Sequence, residues 1–285
     1  MSQGYQAALG IDSVLPVTRG YEFESCAIIK EGTIIDTSGI RGTRSHLASR
    51  TRLGNYTVSG TIELMPVADD LTRLLPWVLG ATGSEGTYAL AETLSERHIT
   101  VDKVAKVFSY AGCFINRATF SGSAGEPIRL RLEIIGKTES IAAAGSFPSV
   151  SYASGAPYLF SDSTLSLVGT DREVQQWSLV IDNQLESYFY NSTTATRILP
   201  RDRVVTFTCT NPFTASETDL YDQALAGSAA ALTLTGLGGS LAFSFATLQV
   251  PARGPTIPGR REIPLELEGT ARKVGSTSEL IVTMT

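Results

Sequence analysis

The chain carries one order of elements twice, and this duplication limits the folds that it can adopt. A strand pattern, a short amphipathic segment and a closing glycine occupy residues 56–80, and the same order recurs over residues 203–227. The closing residues, Gly80 and Gly227, stand 147 residues apart. Apolar side chains at every second position predict strands, and apolar side chains at helical spacing predict the two helices.

The strand patterns of the two copies also agree in which face is apolar. At the constant offset of 147, Val58 aligns with Val205, so the parity of the pleat is preserved. Each half then ends in a strand closed by glycine, residues 130–136 and 263–269, at an offset of 133. The smaller offset predicts additional chain in the first copy, between its helix and its last strand.

Length and composition predict a folded chain with its own cores. With 285 residues and 42% apolar residues, the chain suffices for one large or two ordinary domains and is too apolar for disorder. No run of about 18 apolar residues occurs, so we expect no membrane span. The N-terminal residues lack the pattern of a signal peptide, so we expect synthesis in a cytoplasm without secretion. The net charge of -5 argues against a nucleic-acid clamp, which needs a basic surface.

The order of patterns predicts a mainly β fold of two tandem β-sandwich or barrel-like modules, each with a short flanking α-helix. We assign residues 1–20 to an N-terminal arm and residues 21–140 to the first module. A Gly- and Ser-rich linker, residues 141–163, leads to the second module, residues 164–285. Within the first module, residues 36–54 lack apolar periodicity and predict a long loop that extends as an arm. Pro76 predicts a kink or an early end of the first helix.

Residue patterns that carry catalysis or bind metals are missing from the sequence. The two histidines, His46 and His98, are 52 residues apart and fit no zinc motif. No GxSxG occurs, and the glycines at 236–239 lack the residues of a phosphate-binding loop. The three cysteines lie in scattered apolar contexts and predict buried, reduced thiols. We therefore expect no enzyme, no metal and no cofactor.

The loop at residues 36–54 holds the densest group of cations. Its four arginines are Arg41, Arg44, Arg50 and Arg52. Three interpretations remain open: a solvated loop, a contact between subunits through arginine–carboxylate pairs, or a nucleic-acid clamp. The clamp is the weakest, because no aromatic residue is interleaved with the arginines.

The order of these segments resembles the tail tube proteins of bacteriophages with long, non-contractile tails. In the first half the resemblance rests on Gly39-Ile-Arg-Gly-Thr-Arg44, on Asn55-Tyr-Thr-Val-Ser-Gly60 and on the helix that ends in Val78-Leu-Gly80. In the second half it rests on Leu179-Val-Ile-Asp-Asn-Gln184, on residues 218–227 and on residues 257–268 with a closing strand at 279–284. The resemblance covers residues 21–285 in order, although each motif alone is unspecific.

This resemblance implies a structural protein of the virion tail, made in the host cytoplasm. Such modules join their inner sheets around a ring, and the rings stack into a channel for DNA ejection. A chain with two modules implies trimeric rings with pseudo-sixfold symmetry, while hexamers remain open. The implied partners are the chain itself, the tape measure protein, the tail terminator and the baseplate proteins. Genomic DNA would pass without specific binding, and no membrane is involved.

Two sets of residues follow as candidates for these roles. A polar strand face in each half would line the channel or its flank, with Glu133 and Glu266 as candidates. The arm at 36–54 would bridge successive rings through its four arginines.

Other functional classes remain open beside the tail tube. An adhesin or carbohydrate-binding module also uses β-sandwiches, but it needs exposed aromatic platforms, for which Trp77 and Trp177 lie in unsuitable apolar patterns. Another tail component, such as a terminator or baseplate protein, fits the same resemblance. A hydrolase on a β scaffold ranks third, because its nucleophile and histidine sets are missing.

Overall fold

The mainly β class predicted from the sequence is confirmed. The computed structural model describes residues 3–40, 42–80, 86–214, 227–236, 239–251, 254–260 and 262–285. Strands make up 55% and helices 8%, with a large antiparallel sheet. The predicted second helix, residues 216–226, lies outside the described residues.

The described strands are numbered in chain order. They are β1 (Ala8–Asp12), β2 (Ser25–Cys26), β3 (Ile29–Asp36), β4 (Thr51–Leu64), β5 (Thr87–Ala89), β6 (Arg97–Asp102), β7 (Lys106–Ser123), β8 (Arg129–Gly136), β9 (Thr138–Ala143), β10 (Ser163–Leu167), β11 (Thr170–Arg172), β12 (Gln176–Asp182), β13 (Leu185–Tyr188), β14 (Arg197–Pro200), β15 (Val204–Pro212), β16 (Ser228–Gly236), β17 (Gly239–Gln249), β18 (Pro264–Ala271) and β19 (Leu280–Met284). The helix α1 spans Ala68–Leu79, and 3-10 turns span Gly4–Gln6, Ala48–Arg50 and Phe160–Asp162.

The pairing order of the strands repeats between the two halves. In the first half, β2 and β3 pair with β4, and the order continues β4, β8, β7, β6, β1, with β9 on β7. In the second half, the order is β12, β15, β18, β17, β16, β10, with β19 on β17. The predicted duplication is therefore present in the topology, and β3, β4, β8 and β7 correspond to β12, β15, β18 and β17.

The two closing glycines indicate an offset between the first strands of the two copies that is two residues larger than the predicted 147. Gly136 lies opposite Val58 in β4, and Gly269 lies opposite Phe207 in β15. Val58 therefore corresponds to Phe207, not to Val205, if the two closing glycines are equivalent. A shift of two residues leaves every side chain on its face, so the apolar pattern alone does not reveal it.

Two pairings join the halves into one network. Strand β7 of the first half pairs with β12 of the second over seven positions, from Arg117 opposite Asp182 to Ser123 opposite Gln176. Strand β5 pairs with β19 at the other joint. As a result, one sheet runs without interruption through β3, β4, β8, β7, β12, β15 and β18.

One face of this sheet forms the core. In adjacent strands, the side chains of Ile62, Leu132, Ala118, Ile181 and Val205 succeed one another across the joint, and all are buried. Burial of this apolar surface is the main favourable term for the fold.

The helix α1 covers part of the first-half core. Its apolar stripe of Leu71, Leu74, Leu75 and Val78 is buried, as the helical spacing predicts. Gly80 ends the helix with φ of 81°, a conformation that glycine adopts without a steric penalty. The early end predicted at Pro76 is wrong, because the helix continues through this residue to Leu79, whereas the alternative of a kink stays a prediction.

The N-terminal segment, predicted as an arm, contributes to the first half. Strand β1 pairs with β6, and Leu9 is fully buried. The guanidinium of Arg19 donates from Nη2 to Asp69 Oδ2 at 2.7 Å and to Asp70 Oδ1 at 3.0 Å. This contact ties the segment to the first turn of α1. Burial raises the pKa of Asp70 despite the facing arginine.

Candidate functional site

The polar face of the central sheet is the first candidate surface. Alternate residues of β8, β7, β12, β15 and β18 point away from the core, and they line up across the sheet in registered rows. One row contains Arg129, Ser121, Ser178, Thr208 and Glu268. The row crosses the joint between the halves, so both halves share one continuous polar face.

The first-half part of this face is a network of ion pairs. Nε and Nη2 of Arg117 donate to Asp182 Oδ2 at 3.1 and 2.6 Å, across the joint between β7 and β12. Arg117 also lies 3.9 Å from Glu133, and Arg131 lies 3.8 Å from the same carboxylate. The hydrogen bonds to Asp182 are the main cause that raises the pKa of Arg117. On the neighbouring strand, Arg131 donates to Glu63 at 2.8 Å.

The third arginine of this region is paired as well. Arg129 lies 3.3 Å from Glu24 and 3.8 Å from Glu126. Each of the three arginines on the first-half face therefore has a carboxylate within 4 Å, which offsets its positive charge locally.

The second-half part of the face has hydroxyls and carboxylates instead. A depression of about 350 Å³ lies over β12, β15 and β18, open to solvent on one side. Its polar lining includes Ser178, Thr208, Thr210, Glu266 and Glu268. Both glutamates are exposed. This part of the face therefore carries carboxylates among hydroxyls.

The two carboxylates predicted for the channel occupy the same face of the same sheet. Glu133 lies opposite Arg117 in β7, and Glu266 lies opposite Thr210 in β15. Four strand spacings, about 19 Å, separate them across the sheet, and six residues, about 20 Å, separate their rows along the strands. They are not in contact, and they differ in setting, because Glu133 belongs to the ion-pair network.

The second candidate surface is the hairpin of β3 and β4, hereafter the arm, residues 29–57. The loop at its tip, residues 37–50, is shorter than the predicted loop at 36–54, because β3 continues to Asp36 and β4 begins at Thr51. The tip is closed by the amide and hydroxyl of Thr37, which donate to the carbonyl of Arg50 at 3.1 and 2.9 Å. His46 pairs with Asp36, and hydrogen bonds from Ser38 together with His46 lower the pKa of Asp36.

The arm combines exposed apolar side chains with cations. Ile34 is 69% exposed and Leu53 is 80% exposed. Five of the chain's 23 lysines and arginines lie in the arm, against two of its 28 acidic residues. Of the predicted arginines, Arg44, Arg50 and Arg52 are exposed there, whereas Arg41 lies outside the described residues. An exposed patch of this kind marks an interaction surface.

The corresponding connection of the second half is folded differently. Residues 183–203 join β12 to β15, as the arm's tip joins β3 to β4, and they form the separate hairpin of β13 and β14. Asn183 is buried and donates from Nδ2 to the carbonyl of Ile115 at 3.0 Å, which fixes the hairpin's base. The arm touches this region where the amide of Tyr56 donates to the carbonyl of Thr193 at 3.0 Å.

A comparison with known families decides what class of protein carries these surfaces. A family model described as phage tail tube protein matches residues 4–271. The chain belongs to the phage tail tube protein family. A search of curated proteins finds no matching relative. The family makes this chain a structural protein of the phage tail, in agreement with the resemblance found in its sequence.

Within the described ranges, no group of three or more metal-ligating side chains comes together, and no helix is long and apolar enough to cross a membrane. Burial raises the pKa of both Cys113 and Cys209 to about 12, so both remain thiols at neutral pH. Trp77 and Trp177 are buried, so neither offers the exposed platform that a carbohydrate-binding module requires.

Sequence reasoning missed the residues at the joint of this tail tube protein. Arg117 and Asp182 lie 65 positions apart, and no local pattern connects them. The available signal was their place on polar faces of strands in different halves, but it does not reveal which strands become neighbours.

Proposed function

We propose that the chain polymerises as stacked rings and that the polar face of its central sheet lines the channel for DNA. The observation that carries the proposal is the continuity of this face: it crosses both halves without a break, while the opposite face is the core. A face that runs through equivalent strands of both halves suits a ring in which every module contributes the same sheet.

The charges of the polar face agree with passage of DNA without specific binding. Its second half offers hydroxyls and the carboxylates of Glu266 and Glu268, which repel phosphate. Its first half does carry arginines, but each has a carboxylate within 4 Å. A surface that neutralises few phosphates releases few counterions, and it therefore holds DNA weakly. Glu133 and Glu266 remain our candidates for the lumen or its flank.

Two equivalent modules per chain favour rings of three copies, with six similar sheets around the channel. Closure of the sheet would remove the edge strands that an isolated copy exposes. Six copies per ring remain the alternative, with the second module on the outside. The tape measure protein, the terminator and the baseplate proteins are the partners that a tube of this kind requires, and assembly would take place in the host cytoplasm.

The distal part of the arm, residues 36–54, is our candidate for the contact between successive rings. Strand β4 has 14 residues, or about 45 Å when extended, so the tip can lie far from the body of its own module. Its exposed arginines, with Arg41, would pair with carboxylates of the next ring, since the rest of the chain is rich in acidic residues. Apolar side chains such as Leu53 would be buried in the same contact.

Electron microscopy of the purified chain tests this function. We expect hollow tubes or stacked rings in negative stain at high protein concentration, and image averaging then counts the copies per ring. Uniform small particles at every concentration, with and without the other tail proteins, would contradict the proposal and favour the adhesin class.

A further inference from the structure

Of the two joints between the halves, the pairing of β7 with β12 is the one that continues the central sheet. The amide of Asn183 donates to the carbonyl of Asn116 at 2.8 Å at one end of this joint. Because amides alternate in direction along a strand, those of Leu179 and Ile181 also point at β7. Ser178 lies opposite Ser121, and Leu179 lies opposite Phe120.

The first-half strand that corresponds to β12 is β3, and one edge of β3 is unpaired among the described strands. Lys30 lies opposite Val58, and Leu179 lies opposite the equivalent residue, Phe207, so Lys30 corresponds to Leu179. The amide of Ala27 donates to Thr61 in β4 at 2.8 Å, so the amides of Lys30 and Gly32 point away from β4. All residues of β3 are exposed, and β3 pairs only with β4 among the described strands.

The part of β7 that pairs with β12 is residues 117–123. The equivalent residues of the second half follow directly after β17. Strand β8 is covered by β7, where Phe120 lies opposite Leu130. Among the described residues, strand β18 is covered on the same side only at Thr270 and Ala271. The register of Gln249 opposite Thr270, continued without a counterpart of the bulge that β7 has between Ile115 and Arg117, would pair Thr256 with Ile263, the equivalent of Leu130. Thr256 therefore corresponds to Phe120, and Ile257 corresponds to Ser121.

An independent observation supports this correspondence. By the same register, Ile257 of one copy faces Ile29 of the next, as Ser121 faces Ser178 within the chain. Ile257 is 76% exposed and Ile29 is 47% exposed. Apolar side chains opposite each other on paired strands stabilise the pairing, and here both are exposed in the isolated chain.

We propose that the joint between chains copies the joint within the chain. Residues 254–257 of one copy pair with the outer edge of β3 in the next copy, at Ile29 to Thr33, and continue the central sheet. In the isolated chain, residues 254–257 form no strand. This inference rests on the proposed ring, and it names the two edges that close the ring and their register.

A proline at Lys30 tests the edge. Proline removes the amide that points away from β4 and leaves the β3–β4 hydrogen bonds intact, as edge strands allow. We expect Lys30→Pro to stay folded by circular dichroism and to lose rings and tubes, whereas Lys30→Ala, which keeps the amide, assembles like the wild type. Assembly of the proline variant at the wild-type level would overturn the inference.

A disulfide tests the register even if the proline variant fails to fold. Ile29 and Ile257 would form a pair without mutual hydrogen bonds, the geometry that brings side chains closest. The double variant Ile29→Cys/Ile257→Cys should give, after mild oxidation, a ladder of covalent oligomers that ends at the ring size. Each single variant serves as the control and should give none.

The outcomes separate the inference from the proposed function. Rings without a ladder in the double variant would overturn the inference and leave the ring intact. A wild-type chain that forms no ring under any condition would contradict the proposed function itself.

Discussion

The two halves of the chain pair their strands in the same order and differ on the face that meets solvent. On the first half this face carries Arg117, Arg129 and Arg131, each next to carboxylates, whereas the second half presents hydroxyls with Glu266 and Glu268. The core faces of the halves remain apolar in both. Close packing restricts a core position to residues of suitable volume, but a solvated position has no such restriction. Duplicated modules therefore keep their apolar face and diverge on the other.

The two halves also differ in the connection between equivalent strands, which joins β3 to β4 in the first half and β12 to β15 in the second. The first half extends its connection as the exposed arm, and the second half folds its connection into the hairpin of β13 and β14. If the rings are trimeric, each would carry three arms, so the axial contacts would have threefold symmetry although the sheets approach sixfold symmetry.

The largest expected effect is the loss of tube formation when the arm is changed, compared with the second-half hairpin. Replacing Arg41, Arg44, Arg50 and Arg52 together by alanine should give folded protein that forms no tubes, because the contact between rings loses its cations. Sedimentation and electron microscopy measure the loss. The matched control is Arg197→Ala/Arg201→Ala on the second-half hairpin, which should assemble normally. Normal tubes from the arm variant would remove the arm from the axial contact.

A second prediction concerns the acidic part of the polar face. The variant Glu266→Lys/Glu268→Lys should form tubes that bind short duplex DNA at least about tenfold more tightly than wild-type tubes at low salt, and added salt should abolish the difference. Co-sedimentation with labelled DNA gives the affinity. The control Asp171→Lys, at an exposed position of β11, which pairs with β10 and not with the central sheet, should leave binding unchanged. Equal binding by all three proteins would place Glu266 and Glu268 outside the channel.

Removal of the Arg117–Asp182 ion pair at the joint should have a smaller effect, a loss of stability. Arg117→Ala removes the hydrogen bonds to Asp182, and since Arg117 is 43% exposed we expect a loss of about 1 kcal/mol in the free energy of unfolding. Urea denaturation measures it. Arg272→Ala, which removes a single hydrogen bond to Gln249 at the surface, is the control and should cost less. A loss of several kcal/mol would mean that the joint depends on this pair far more than its exposure suggests.

The last prediction concerns one buried thiol in each half. Burial raises the pKa of Cys113 and Cys209 to about 12, from 9.0 for an exposed thiol. The folded state therefore holds these protons more tightly than the unfolded state does. Their contribution to stability is complete below pH 9 and declines as the pH rises from about 9 to about 12. Cys209→Ala should reduce this decline in denaturation measured across that range, and an unchanged slope would show that the thiol does not contribute.

Local patterns predicted much of the fold. The helix over residues 69–79 and most strands follow from periodicity, because a helix or strand with one buried face needs apolar side chains at its own spacing. The polar face was predicted in part, since Glu133 and Glu266 alternate with buried leucines and isoleucines. The offset between the two copies was not predicted, because a shift of two residues leaves every side chain on the same face of its strand.

The sequence by itself determined the class of fold, its duplication and the alternation that puts Glu133 and Glu266 on a solvent face. These features depend on neighbours within a few residues, so each segment encodes them independently. Only the tertiary structure decided that β7 pairs with β12 and that Arg117 meets Asp182. Strand partners far apart in the chain are chosen by the packing of the whole core, and no short segment carries that choice.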